Sequence, residues 1–400
     1  MRFLLVTSGL LGFFAQIVTA AEPDRLTEVK KLTVEYAAAN KKFDDTDWPV
    51  ETAPDQIRRY EAWPAWSYIP RFVRLAEAQP DDEPAFLCCL WILDRTDNAG
   101  NEDRRIFAAD QKAWEILAAH PRTQRDLATF CLKAVARNGP AQEQFLRSVL
   151  DRKDLSRENR GVATLALAEF FARKYERIEL REYGPPPTGF AKHWESQKAP
   201  DCCRELVSAN GSKFKAESIG LFREVLANYA DVELNGSVPY FRHIKKLSDK
   251  ATKSLHALEH LTIGSSAPGI VGKDLHGRRL DLTAYRGRVV VLSFWFTGCG
   301  PCMGMIPQEQ RLVKKYAGRP FALLSICGDE SRETANKTAA EHKMEWPCWF
   351  DGANGPIARE WNVLGWPTIY ILNEKGVVVA KQLRNDALDT KLAELMDKKR

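Results

Sequence analysis

The chain has 400 residues, long enough for two or three domains with cores of their own. Its apolar fraction of 44% and charged fraction of 28% are those of an ordinary globular protein, which excludes a disordered or multi-spanning membrane chain. A formal net charge of +5 over this length, with no concentrated basic stripe, excludes nucleic acid as the expected partner.

Residues 1–20 read as a secretory signal. Arg2 is the positive start, Phe3 to Val18 is largely apolar, and Val18-Thr-Ala20 fits a small-residue cleavage site. The alternative is an uncleaved membrane anchor, since the apolar stretch is nearly long enough to span. The small residues favour cleavage. A membrane association is expected only if the segment is retained. The mature protein is therefore expected outside the cytoplasm, in the periplasm or an equivalent space, where disulfide chemistry is permitted.

From Glu22 to Leu261 the pattern is helical. Asp110, Ala113, Trp114, Leu117 and Ala118 keep a period of 3.6, as do Leu127, Phe130, Cys131, Ala134 and Val135. So do Phe214, Ser218, Leu221, Phe222, Val225 and Tyr229. Breakers at Pro80–Pro84, Asn98–Asp103, Pro121, Asn138-Gly-Pro140 and Asn210-Gly211 separate the segments. Short helices with short connections predict helical hairpins, in the manner of a superhelical stack, although no fixed repeat period is visible. Gly184-Pro-Pro-Pro187 is expected as an extended segment near 183–190, either dividing this region into two lobes or forming a surface loop. A last helix is expected over 241–261.

The small-residue stretch Thr262-Ile-Gly-Ser-Ser-Ala-Pro268 is the expected domain boundary. Beyond it the pattern becomes α/β. Strands are predicted at 289–295, 321–326, 347–350, 368–372 and 377–381, and helices at 301–316, 332–342 and 386–397. Asn373-Glu-Lys-Gly376 reads as a hairpin turn. The fold class is thus multidomain, a helical region over 22–261 followed by an α/β domain over 262–400.

The decisive stretch is Ser293-Phe-Trp-Phe-Thr-Gly-Cys-Gly-Pro-Cys302. A β-branched run, Val289 to Leu292, leads into it as a buried parallel strand that breaks at Gly298. Cys299 and Cys302 follow, with Gly300 and Pro301 shaping the turn; Pro301 suits the first turn of a helix. Cys299 then faces unpaired backbone N–H groups and the positive end of the helix, both of which favour thiolate. Cys302, one turn on, is placed to attack a mixed disulfide. Pro307 is expected to kink the helix. The other reading of such a pair, half a zinc site, needs a second pair of ligands at matching spacing, and the adjacent pairs Cys88-Cys89 and Cys202-Cys203 cannot supply it.

Trp295, the Cys299-Gly-Pro-Cys302 tetrad, Pro307 and Trp366-Pro-Thr368 before an apolar strand resemble a thioredoxin fold. More narrowly, the region from Gly264 onward resembles the TlpA/ResA-type extracytoplasmic thiol–disulfide oxidoreductases. Ala267-Pro268, a Gly277–Leu280 hairpin, Tyr285-Arg-Gly-Arg288 and an insert from Ser331 to Asp351 carry the narrower likeness. It covers about a third of the chain. It implies Cys299 and Cys302 as the redox-active disulfide and a cis peptide at Trp366-Pro367 beside the two sulfurs. Trp366, Pro367 and Thr368 would position an extended substrate segment, with Trp295 and Pro307 in support. It implies no cofactor and no metal. The partners it implies are protein disulfides and a thiol electron donor, and the Gly-Pro dipeptide leans toward a reductase. Two departures stand out. Where thioredoxins carry a buried acid on the central strand stands Ser293, and where ResA-like proteins place Glu stands Met305. Either acid could take the Cys302 proton; here a water or a backbone group is left to do so, or the exchange is of modest rate. Glu309, two turns further on, is expected on the surface.

The remaining cysteines bring the total to nine. Cys327 and Cys348 are expected as small buried hydrophobes, with a bridge between neighbouring strands as the alternative, and Cys88, Cys89 and Cys131 as core. Cys202-Cys203, at a helix start, is the best remaining candidate for a reactive or bridged pair. His256 and His260, one turn apart, read as an exposed helix face rather than two metal ligands. Trp63, Trp66, Tyr68 and Trp91 read as packing rather than a binding surface. The first function expected is protein-disulfide reduction outside the cytoplasm. The alternatives are a helical partner-binding or scaffold protein with an accessory redox-sensing domain, and a thiol peroxidase, for which Cys-x-x-Cys is a poor fit.

Overall fold

The structure, a computed structural model, describes residues 7–49, 52–96, 104–135, 139–183, 211–234, 245–363 and 365–397. The expected segment at 184–187 and the Cys202-Cys203 pair lie outside them. Among the described residues no helix is long and apolar enough to cross a membrane.

The chain divides into two compact units. The first holds α1 (Thr7–Asp44), α2 (Ala53–Glu61), α3 (Ala65–Ala78), α4 (Glu83–Thr96), α5 (Arg104–Ala119), α6 (Pro121–Arg125), α7 (Leu127–Ala134) and α8 (Pro140–Asp151). The breakers act as helix starts. Pro121 and Pro140 each open a helix, where the missing N–H costs nothing. Helix α3 packs on α4, α4 on α5, and α5 on α8. Their apolar stripes meet in aromatic pairs: Phe72 stacks on Trp91 with centroids 3.8 Å apart, and Tyr36 meets Trp91 edge-on. Trp63 and Trp66 pair with each other, as core-type packing predicts. Cys88, Cys89 and Cys131 are buried and free.

Helix α9 (Arg157–Tyr183) begins in the first unit and ends in the second, which also takes α10 (Gly211–Asn228), α11 (Leu247–His260) and everything after. The boundary read at Thr262 therefore does not coincide with the division into units. Helices α10 and α11 pack together, and the end of α9 is tied to the sheet domain by one buried acid. Glu179 is 2% exposed, accepts the Ile263 N–H at 2.6 Å, and pairs with Lys381. Helix α11 starts at Leu247, where Lys246 is extended and the Asp249 side chain accepts its backbone N–H; residues 241–244 of the expected helix lie outside the described residues.

The second unit carries a hairpin, β1 (Val271–Lys273) and β2 (Arg279–Asp281), and a five-stranded sheet. The sheet comprises β3 (Val289–Trp295), β4 (Phe321–Cys327), β5 (Cys348–Phe350), β6 (Thr368–Leu372) and β7 (Val378–Lys381), in the order β5-β4-β3-β6-β7. Strands β3, β4 and β5 are parallel, while β6 and β7 run antiparallel to their neighbours. This is the helical-then-thioredoxin-like architecture that the sequence predicts. Every residue of β3 and β4 is buried, because both faces of the sheet are covered. One face carries Val289, Val291, Leu323, Ile369 and Ile371 against α12 (Gly300–Lys315) and α15 (Asn385–Asp397). The other carries Val290, Leu292, Phe294, Leu324 and Ile326 against Trp349 and Trp361. Helix α13 (Arg332–Glu341) is capped by the Ser331 hydroxyl. The short α14 (Pro356–Glu360) has no counterpart in the sequence reading; the two carboxylate oxygens of Asp351 accept the N–H groups of Ile357 and Ala358 and make its start. At the β6–β7 turn the Asn373 side chain accepts from Lys375 and Val377, and Gly376 takes a φ of 73°, a left-handed conformation that favours glycine.

Candidate functional site

Strand β3, the middle strand, delivers its chain to one end of the sheet and stops. Thr297, just past it, is fixed from two sides. Its N–H and hydroxyl both donate to the carboxylate of Asp329, at 2.9 and 2.7 Å, and its hydroxyl lies 3.0 Å from that of Thr338. Asp329 is 8% exposed and also accepts the Cys327 thiol at 3.2 Å. Gly298, Gly300 and Pro301 are exposed, so the turn reaches solvent.

Helix α12 begins in this turn. Cys299 is its N-cap, with extended backbone, and its Sγ accepts the Cys302 N–H at 3.1 Å. Cys299 and Cys302 are joined in a disulfide, with Cα atoms 5.2 Å apart. Both are nearly covered, at 5% and 3% exposure. They form one buried cluster with Trp295, Cys327, Cys348, Leu275 and Ala335, against which Trp366, Met303 and Phe296 pack from the outside.

The structure brings most of the expected residues to this cluster. Trp295 is buried and its indole N–H donates to Cys348 Sγ at 3.4 Å. The Trp366–Pro367 peptide is cis. The half-buried Trp366 ring meets Phe296 edge-on at 5.6 Å and lies over Gly328, where a Cβ would come within 2.5 Å of the indole. Pro367 is buried at the head of β6, its carbonyl accepting from Arg384 at 2.8 Å; Thr368 is buried beside it and pairs with Phe294 of β3. Pro307 differs: it is exposed, inside an α12 that continues from Gly300 to Lys315. Cys327 and Cys348 stand on one face of adjacent strands, unbridged and free. Burial pushes both thiols up, Cys348 to about 11. His256 and His260 lie side by side, centroids 4.8 Å apart, and among the described residues no metal-binding cluster of three side chains forms.

One expectation is overturned. Glu309 is not on the surface; it is 4% exposed, on the sheet-facing side of α12. Burial raises its carboxyl to about 7, offset in part by a hydrogen bond from the Ser293 side chain. The signal was present in the spacing. Cys302, Met305, Ile306, Glu309 and Leu312 follow the helical period, and all five are buried. Asp329 and Thr297 are a second omission. They carry no motif and meet only because β4 lies next to β3.

A family model described as the AhpC/TSA family matches residues 263–381. The thiol–disulfide oxidoreductase ResA of Bacillus thuringiensis subsp. konkukian (strain 97-27) is 26% identical over 140 residues, 35% of this chain and 80% of that one. The thioredoxin-like protein YneN of Bacillus subtilis (strain 168) is 32% identical over 118 residues, 29% of this chain and 68% of its own. Through its C-terminal region the chain belongs to the ResA-type, thioredoxin-like thiol–disulfide oxidoreductases. It is thus an oxidoreductase. Among solved structures, a thiol–disulfide oxidoreductase from Bacteroides fragilis NCTC 9343 matches 33% of this chain and 99% of its own, at 29% identity and a TM-score of 0.32.

Proposed function

We propose that Cys299 and Cys302 exchange disulfides with partner proteins, in the reducing direction and outside the cytoplasm. In the reduced enzyme Cys299 thiolate attacks one sulfur of a partner disulfide. A bond forms between Cys299 and that sulfur, and the other partner sulfur leaves as a thiolate. Cys302 then attacks Cys299 Sγ, which remakes the Cys299–Cys302 bond and releases the second partner thiol. The partner gains two electrons, and a thiol donor restores the enzyme. The observation that carries this reading is Cys299 Sγ at the start of α12, accepting the Cys302 N–H. A thiolate there is met by a backbone donor and by the positive helix end. Gly300 and Pro301 keep the turn open to solvent, and an extended partner segment would lie beside it at the half-buried Trp366, which Pro367 and Thr368 hold in place at the head of β6. Cys-Gly-Pro-Cys supports the reducing direction, and the pattern of residues 1–20 supports export.

The test is reduction of a model protein disulfide by the full chain with a dithiol donor. Turnover by the wild type and none by Cys299→Ser supports the reading. Equal turnover by both removes it. Consumption of peroxide with no reduction of the protein disulfide would move the chain to the peroxidase reading. A Cys299→Ser variant that keeps all cellular function, while changes in the helical region abolish it, would favour a binding protein with an accessory redox domain.

A further inference from the structure

A buried carboxylate needs donors or a cation. Asp329 stands two residues past β4, is 8% exposed, and forms no ion pair among the described residues. Its donors are Thr297 and Cys327. Oδ1 accepts the Thr297 N–H at 2.9 Å, and Oδ2 accepts the Thr297 hydroxyl at 2.7 Å and the Cys327 thiol at 3.2 Å. The Thr297 hydroxyl also meets that of Thr338, on α13, at 3.0 Å. One loop residue therefore ties the carboxylate to β4 and α13 as well as to the chain leaving β3.

Thr297 is two residues before Cys299, and the chain between them is closely held. The Cys299 N–H donates to the Phe296 carbonyl at 3.1 Å, which closes a tight turn over Thr297 and Gly298. The Phe296 ring lies against Gly298, where a Cβ would come within 2.8 Å of it. One step back, the Trp295 carbonyl accepts the Gly328 N–H at 2.9 Å. Gly328 and Asp329 thus grip the chain on both sides of Phe296, at Trp295 and at Thr297. Gly298 is the single residue between that grip and the N-cap of α12.

The reactivity of Cys299 depends on where this turn puts its sulfur. As the N-cap, Sγ meets the Cys302 N–H at 3.1 Å and the positive end of α12. Both favour thiolate. A displacement of about 1 Å at a positioned group is enough to lose such an alignment.

We propose that Asp329 is a positioning residue for the exchange. Through Thr297 it holds the turn so that Cys299 Sγ stays on the N-terminus of α12, and so keeps the nucleophile as thiolate. The proposal rests on the exchange reading given above. Asp329 takes and gives no proton in this role. Its own negative charge opposes a nearby thiolate, so its benefit lies in the grip and not in the charge.

The test separates grip from charge in the full chain, reduced. Asp329→Asn and Asp329→Ala both remove the charge. Asn keeps an oxygen for the Thr297 N–H and an amide for its hydroxyl; Ala keeps neither. Iodoacetamide is applied across a range of pH, and the label on Cys299 is mapped by mass. The Cys299 midpoint should lie about one unit higher in Asp329→Ala than in Asp329→Asn, so that Cys299 is labelled about tenfold more slowly below both midpoints. Reduction of a model protein disulfide should slow by a like factor. Equal midpoints would overturn the proposal whatever happens to the melting temperature, because a merely structural contact lowers stability and leaves the Cys299 midpoint in place. Should Asp329→Ala not fold, Thr297→Val and Thr297→Ser carry the same comparison with the charge intact. Ser keeps the hydroxyl bond to Asp329 and Val does not, and Cys299 should be labelled about threefold more slowly in the Val variant. Equal rates in that pair would also overturn the proposal. A wild type that reduces no protein disulfide ends the exchange reading; the Cys299 midpoints, read without a partner, judge the grip on their own.

Discussion

Each of the two units buries a carboxylic acid in the apolar stripe of a helix, and the two acids are treated in opposite ways. Asp110, on α5, is 1% exposed and surrounded by donors. The Thr96 hydroxyl reaches it at 3.2 Å, and the Gln142 and Gln111 amides at 2.6 and 3.4 Å. Gln111 in turn bonds Gln142 and accepts the Ala141 N–H at the start of α8. The acid is the centre of a satisfied network that fixes α4, α5 and α8 in one register. Glu309, on α12, is as deeply buried but has a single hydroxyl partner and keeps a carboxyl near neutrality. A satisfied acid holds a structure; an under-satisfied one is costly to ionise, and burial pushes the Glu309 carboxyl up to about 7.

The largest expected effect separates chemistry from structure. Cys299→Ser should lower exchange by at least about 1,000-fold, since the nucleophile is lost, while Asp110→Asn should leave exchange per folded molecule unchanged. Insulin-type reduction assays on both variants check this. If Asp110→Asn also lost exchange while folded, the purely structural role of Asp110 would be wrong.

Stability should then move in opposite directions. Asp110→Ala strips acceptors from Thr96 and Gln142, both buried, and should cost about 3 kcal/mol in denaturant unfolding. Glu309→Gln should do the reverse. The folded carboxyl titrates at about 7 and the free one at 4.5, so the folded state holds the proton longer. Stability is greatest below the lower value, falls as pH rises from one to the other, and is flat above. At pH 8 the wild type should lie lower than Glu309→Gln by up to about 3 kcal/mol, with no difference at pH 4. Unfolding curves at the two pH values check the sign, and a gap that widens toward acid would contradict it.

The smallest effect concerns the hydroxyl. Ser293→Ala removes the bond that favours the carboxylate, so the Glu309 midpoint should rise further, at a cost of about 1 kcal/mol at pH 8. Carbon-13 observation of the carboxyl through a pH titration reads the midpoint directly.

Much of the sheet domain was legible in the sequence, for a physical reason. Strands covered on both faces are continuous apolar runs, so β3 and β6 are found at their predicted ends. The cysteine pair sits where the strand, the glycine and the proline put it, at the N-cap of α12. The helix starts at Pro121 and Pro140 follow from proline's missing donor. What stayed hidden depends on contacts far along the chain. Glu309 satisfies the helical period, but its charge argued for the surface, and the burial that raises its carboxyl to about 7 comes from elements packed on α12 that no local pattern marks. Asp329 lies two residues past β4 with nothing local to mark it, and gains its role by holding Thr297. The end of α9 joins the sheet domain through Glu179 and Lys381, a pairing across some two hundred residues that no local pattern announces.

The account stands most directly on the redox couple itself. The full chain would be equilibrated in graded thiol–disulfide buffers, denatured, alkylated and mapped by mass. The account predicts that Cys299 and Cys302 gain label together, as one two-electron couple, while Cys88, Cys89, Cys131, Cys327 and Cys348 stay constant. Constant labelling of Cys299 and Cys302 across the whole range, or a titrating pair elsewhere in the chain, would contradict it.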